Sequence, residues 1–177
     1  MAVNVKFAKV HPDAKIPSKR TEDMGFDIYA CFDEDYIAIQ PHETKLIPTG
    51  IASCCSPEYG FVLKERGSTG SKGIALRCGV VDSGYRDQIF VACTNTTNNM
   101  LFISKLDELK TLMNFYHCDA IGAMNTKALS TVYPYAKAIA QALVIPVPEI
   151  EVEEIPYEDL KAIKSERGLG ALGSSGK

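Results

Sequence analysis

The sequence predicts an all-β protein, a sandwich or barrel closed around one core. Short segments of apolar and polar residues in alternation recur along the chain, and Pro, Gly, Asn and Asp clusters separate them at close spacing. Helical periodicity is scarce. A length of 177 residues favours a single domain over 1–177 and is enough to bury a real core.

Val3, Val5 and Phe7 alternate with Asn4, Lys6 and Ala8, the period-two signature of a half-buried strand. His11-Pro12 and Ile16-Pro17-Ser18-Lys19 then break the pattern. A short strand is predicted over Met24 to Ala30, with Asp27 among apolar neighbours. A carboxylate there calls for a partner: a backbone amide, an arginine or a metal-bound water. Tyr36 to Gln40, Thr44 to Pro48, Gly50 to Ala52 and Tyr59 to Lys64 are further predicted strands, separated by proline and glycine turns.

Glu65-Arg66-Gly67-Ser68-Thr69-Gly70-Ser71-Lys72-Gly73 combines glycines, hydroxyls and two cations. Such a loop can turn several amides toward one anion, as suits phosphate oxygens. It lacks the G-x-x-x-x-G-K-[ST] spacing of a P-loop, and a plain Gly/Ser loop is the alternative.

Gly79 to Val91 reads as a β-hairpin: apolar arms, Gly79-Val80-Val81 and Ile89-Phe90-Val91, flank a polar turn in which Gly84 supplies positive φ. Asp82 and Tyr85 stand at its mouth. Either Asp82 only binds the turn backbone, or carboxylate and ring together hold and attack a small molecule.

A polar turn is predicted over Thr94 to Asn99. Ser104 reads as the N-cap of an amphipathic helix over Lys105 to Tyr116, with Leu106, Leu109, Met113 and Tyr116 at helical spacing. It is either a plug for one end of the barrel or an inserted interaction element. Strands over Ile139 to Val147 and Ile150 to Ile155 and a short helix over Pro156 to Lys164 complete the pattern. The tail, Arg167 to Lys177, repeats the Arg, Gly and hydroxyl composition of the 65–73 loop. Folding over a triphosphate and excluding water is the role such a tail suits.

Composition excludes several function classes. A formal net charge of −3 supplies no basic face for nucleic acid. The six cysteines form no C-x-x-C pair and the three histidines stand singly, so zinc spacing is absent. No apolar run suggests a signal peptide or a membrane span, and a cytoplasmic protein with free thiols is expected.

Taken in order, Gly25 to Ala30, Arg66 to Gly73, Gly79 to Ile89, Ile139-Ala140-Gln141 and Arg167 to Gly176 resemble the five motifs of the trimeric dUTPases, of the insert-bearing phage or bacterial type. The resemblance covers nearly the whole chain. It implies a β-clip or distorted jelly-roll subunit in a homotrimer, with sites at subunit interfaces and a tail that closes a site built by other subunits. The implied reaction is dUTP and water to dUMP and pyrophosphate, with Mg²⁺ held by the triphosphate and water.

By resemblance, Asp82 orients and deprotonates the attacking water, and Tyr85 packs on the deoxyribose. The backbone around Val80 to Asp82 and Phe90 reads uracil and leaves no room for a 5-methyl group, with Gly79 and Val81 also among the substrate-binding positions. Arg66, Gly67, Ser68 and Gln141 contact the phosphates, with Ser68 or Thr69 as the hydroxyl. Arg167 meets the γ-phosphate beside Gly173 and Ser174, and Leu172 covers the base. No protein metal ligands are implied, with Asp27 reaching the ion at most through water.

The chain departs from the family pattern at several places. Gly67 precedes Ser68, Ala136-Lys137-Ala138 stands for Gly-Asp-Arg, and Asp87 for a glycine. Leu172 replaces the capping aromatic, a loss of stacking of about 1–3 kcal/mol. The segment about 100–134 exceeds the compact family core. Two alternatives follow. One is a dUTP-sensing regulatory protein that contacts a partner through this insert. The other is a dCTP deaminase-like enzyme, whose catalytic Glu position here holds Ala92.

Overall fold

This computed structural model describes residues 3–166 and 168. The chain divides into two compact units, Met1–Val147 and Pro148–Lys177. The first contains every strand among the described residues. Strands β1 (Val5–Lys9), β2 (Phe26–Ile28), β3 (Tyr36–Ile39), β4 (Thr44–Pro48), β5 (Ile51–Cys55) and β6 (Tyr59–Lys64) lead to a one-turn helix, α1 (Gly67–Gly70). Then follow β7 (Ile74–Arg77), β8 (Val80–Val81), β9 (Phe90–Asn95), β10 (Met100–Ser104), α2 (Glu108–Tyr116), α3 (Ala120–Thr126), β11 (Ser130–Pro134) and β12 (Ala140–Pro146).

The strands form four small sheets, ordered β1-β5, β11-β10-β3, β2-β12-β6-β8 and β4-β9-β7. Their inner faces meet in one core. Ile28, Ile39, Ile47, Val91 and Cys93 are wholly enclosed there. Each large aliphatic residue so buried stabilises by roughly 1.5–3 kcal/mol. The mostly-β expectation holds, and β4 and β6 have the predicted bounds.

The predicted hairpin is a correction. Its arms do not pair with each other. β8 pairs with β6 through Phe61↔Val81 and Val62↔Val80, whereas β9 pairs with β4 and β7. The segment is therefore an arch between two sheets. On one side the Leu63 amide donates to Gly79 O at 2.7 Å; on the other, Ile89 N donates to Ile51 O at 2.8 Å and Thr49 Oγ1 donates to Ile89 O at 2.5 Å. Gly84 does not take positive φ; at the arch's entry Cys78 does, at 51°.

The 100–134 segment is partly core rather than an appendage. In β10, Leu101 and Ile103 enter the main core while Phe102 on the opposite face enters a second cluster with Leu112 and Ala123. Both faces of the strand are buried, so its apolar residues run continuously instead of alternating. β10 pairs antiparallel with β3 and parallel with β11, and the excursion between them, residues 105–129, carries the helices.

The N-cap of α2 is Asp107, whose carboxylate accepts from the Lys110 amide. Ser104 ends β10 instead, its hydroxyl 2.8 Å from Thr111 Oγ1 inside the core. Asp119 caps the unpredicted α3 through the Gly122 amide. Phe102 and Phe115 meet edge-on at 4.9 Å, packing α2 onto β10.

In the second unit, α4 (Tyr157–Ala162) matches the predicted short helix. The strand predicted over Ile150 to Ile155 does not form: its residues alternate correctly, but no sheet edge pairs with them. Arg167, Leu172, Gly173 and Ser174 lie outside the described residues.

Candidate active site

Two cavities gather the predicted residues. The larger, about 670 Å³, is lined by Asp27, Arg66, Gly67, Ser68 and Gln141 together with the 18–25 loop. Register explains the grouping, because Gln141 on β12 lies between Asp27 on β2 and Lys64 on β6. Chain reversal after Lys64 then brings Arg66 and α1 to the same end of the sheet.

Asp27 meets an arginine. Arg66 Nε lies 2.9 Å from Asp27 Oδ1 and Nη2 lies 3.4 Å from Oδ2, while Nη1 donates to Ala138 O at 3.3 Å. Gln141 Nε2 donates to Glu65 O at 2.8 Å, fixing the turn from below. The Glu65 carboxylate accepts from the Leu76 amide at 2.7 Å, and that bond holds Glu65 below the usual carboxylate range.

Thr69 is fully buried, its hydroxyl accepting from Arg66 N and donating to Arg66 O, both at 3.0 Å. Ser68 is therefore the hydroxyl on the cavity side. Among the described residues the Gly67 and Ser68 amides meet no acceptor. Free amides, a hydroxyl and a guanidinium converge there, a donor set suited to a polyanion.

Sequence reasoning missed the contribution of the 18–25 loop. Ser18, Lys19, Arg20 and Asp23 line this cavity. Lys19 Nζ donates to Asp23 O at 2.7 Å, and Arg20 forms a two-pronged pair with Asp23 at 2.8 and 2.9 Å. The only signal was two adjacent cations beside the first glycine motif.

The second cavity, about 210 Å³, is lined by Val80, Val81, Asp82, Tyr85 and Phe90, joined by Leu46, Cys78, Ile89 and Ala92. Gly79 is not among the lining residues. It serves packing, since a Cβ there would lie 2.5 Å from Leu63 O. β8 is an edge strand, so its outer backbone groups have no strand partner.

Asp82 is exposed, and among the described residues its carboxylate meets no donor. The turn is held by other groups: Tyr85 N donates to Asp82 O at 3.1 Å, Tyr85 Oη to Gln88 O at 3.0 Å, and Gln88 N to Asp87 Oδ1 at 2.7 Å. Fixing the phenol leaves the ring of Tyr85 against the cavity.

No residue lines both cavities. One chain thus carries a half rich in hydrogen-bond donors and an apolar half beside a carboxylate that meets no donor among the described residues. Among the described residues, no three His, Cys, Asp or Glu side chains converge to hold a metal.

The chain matches the dUTPase family model over residues 13–132. It is 30% identical to a deoxyuridine 5'-triphosphate nucleotidohydrolase of Nautilia profundicola, over 99% of this chain and all of that one. A nucleotidohydrolase of the same description from Neisseria meningitidis is 30% identical over 91% of this chain and 87% of its own length. Among solved structures, a point mutant of the dUTPase of Staphylococcus bacteriophage 80alpha, with dUpNHpp, superposes with a TM-score of 0.70 at 18% identity over 98% of this chain and 99% of that one. A point mutant of the dUTPase of Staphylococcus aureus phage phi11, in which a structural Mg(II) ion is coordinated, gives a TM-score of 0.62 at 15% identity, covering 86% and 96%. These likenesses agree with the jelly-roll-like β-clip class.

Proposed function

The chain belongs to the dUTPase family, and from that premise we propose that it hydrolyses dUTP to dUMP and pyrophosphate at a site completed by a second copy of the chain. The observation that carries this reading is the division of complementary chemistry between two cavities with no residue in common. A triphosphate fits the Arg66 cavity and a deoxyuridine the Asp82 cavity. A closed homotrimer brings the two halves together three times.

In that assembly the Asp82 carboxylate orients a water on the α-phosphate and takes its proton, since no donor among the described residues engages it. Arg66 and the Gly67 and Ser68 amides neutralise charge on the phosphate oxygens, and Gln141 holds the turn that carries them. The fixed Tyr85 ring covers the sugar. Unpaired backbone groups at the outer edge of β8 suit the alternating donors and acceptors of uracil.

A magnesium ion would be held mainly by substrate phosphates and its own waters, since no three acidic, His or Cys side chains converge among the described residues, and Asp27 would reach it only through water. When bound, the ion neutralises triphosphate charge. In the same reading Arg167 and the Gly/Ser tail complete the phosphate contacts. Six unbridged thiols suit a cytoplasmic setting, and no described helix is long and apolar enough to cross a membrane.

Ala92 lines the nucleoside cavity and supplies neither acid nor base, which disfavours deamination. A second role as a protein-contact element is supported by Ile121 and Met124, which α3 leaves 72% and 63% exposed.

Pyrophosphate release measured across dUTP, dCTP, dTTP and UTP tests the reading. Only dUTP is turned over efficiently, and Asp82→Asn lowers its kcat by about 10²–10⁴-fold while binding persists. Comparable turnover of UTP or dTTP, ammonia from dCTP, or a fully active Asp82→Asn overturns it.

A further inference from the structure

We propose that Tyr133 is a positioning residue that ties the anion-binding turn to the outgoing strand of the 105–129 excursion. The inference rests on the phosphate reading of the Arg66 cavity. Tyr133 lies on β11, directly after the excursion, and only 1% of it is exposed. Its hydroxyl donates to Ala138 O at 2.8 Å and lies 3.5 Å from Ser68 Oγ. Lys72 Nζ, from the end of the same turn, sits over its ring at 5.7 Å. The Ala138 carbonyl in turn accepts from Arg66 Nη1 at 3.3 Å. One phenol therefore adjoins three groups that set the turn: Ser68, Lys72 and the acceptor of Arg66.

Proton counting makes the arrangement directional. A phenol has one hydrogen, and the short bond to Ala138 O takes it. Ser68 must then donate its own hydrogen toward Tyr133 Oη, which leaves a serine lone pair facing the cavity. At 3.5 Å that bond is weak. A phosphate oxygen makes a shorter, charge-assisted acceptor, so the Ser68 hydroxyl is released to it at small cost. Tyr133 holds Ser68 beside the cavity before substrate arrives. Tyr133 pairs with Ile103 across β11 and β10, a register that fixes its backbone independently of the helices packed on Phe102.

A double-mutant cycle reads this directly: wild type, Tyr133→Phe, Ser68→Ala and the double variant, with KM and kcat for dUTP and the melting temperature. Tyr133→Phe raises KM by roughly two- to tenfold, because Ala138 O, the acceptor of Arg66, loses the phenol and Ser68 is no longer held beside the cavity, with little change in kcat. The double variant raises KM by less than the product of the single effects. Phe102→Leu, buried in the excursion's own cluster and away from the turn, lowers the melting temperature and leaves KM unchanged. An unchanged KM in Tyr133→Phe, multiplicative effects in the cycle, or an equal KM rise in Phe102→Leu overturns the inference. A wild type that neither hydrolyses dUTP nor binds its non-hydrolysable analogue instead overturns the functional reading beneath it, and the inference with it.

Discussion

Asp27→Asn isolates the charge that holds Arg66 in the cavity proposed to take the triphosphate. The pair is two-pronged, at 2.9 and 3.4 Å, and each side chain is 32% exposed. Two unit charges at such separations attract by about 1 kcal/mol in water and about 4 kcal/mol at an effective dielectric of 20. Partial exposure puts this pair toward the lower end, and asparagine keeps one acceptor for the guanidinium. The expected loss of stability is therefore about 1–2 kcal/mol. Arg66 retains Ala138 O at 3.3 Å but loses the carboxylate that aims it. KM for dUTP should rise by roughly tenfold, since 1.4 kcal/mol is a factor of ten. Urea denaturation gives the first quantity and steady-state turnover the second, and the stability gap should narrow at high salt. A variant as stable as wild type with an unchanged KM would refute the assignment of Asp27 as the arginine's anchor.

Two further predictions concern the framework. Gly79→Ala sets a Cβ 2.5 Å from Leu63 O and should destabilise by about 1–3 kcal/mol. Gly84→Ala has no atom within 4 Å and should be neutral. Melting temperatures that fail to separate the two variants contradict the arch geometry. Glu65 is held below the usual carboxylate range by the Leu76 amide, so its bonus is present above the ordinary glutamate range and is lost as pH falls through its lowered pKa. The stability gap between wild type and Glu65→Gln should be widest near neutrality and close in acid; a gap that does not vary with pH removes Glu65 from that role.

Local pattern was enough to find β4, which alternates against one buried face, and β6, a short apolar run bounded by turn residues. It failed for the 79–91 arch. Val80-Val81 and Ile89-Phe90-Val91 look like partners, yet β8 and β9 find β6, β4 and β7 instead, and pairing is a long-range choice. It also failed at Ile150 to Ile155, where alternation exists without a sheet edge to receive it. Ser104 looked like a cap because serine precedes a helical pattern, but the buried run through Ile103 extends the strand and hands the cap to Asp107. Within the site, Asp82, Tyr85, Arg66, Ser68 and Gln141 were legible as ordered motifs. Arg20 and Tyr133 were not, because their roles come from contacts across the fold that no local pattern records.

The proposed division of the site between copies is tested most directly by complementation. Arg66→Ala removes one half and Asp82→Asn the other, so each variant alone should be nearly inactive while folded and assembled. Co-refolded in equal amounts, random mixing leaves about a quarter of interfacial sites with both halves intact, and about a quarter of wild-type turnover should return. Mixed assemblies that stay as inactive as the separate variants would show that one chain supplies both halves of its own site.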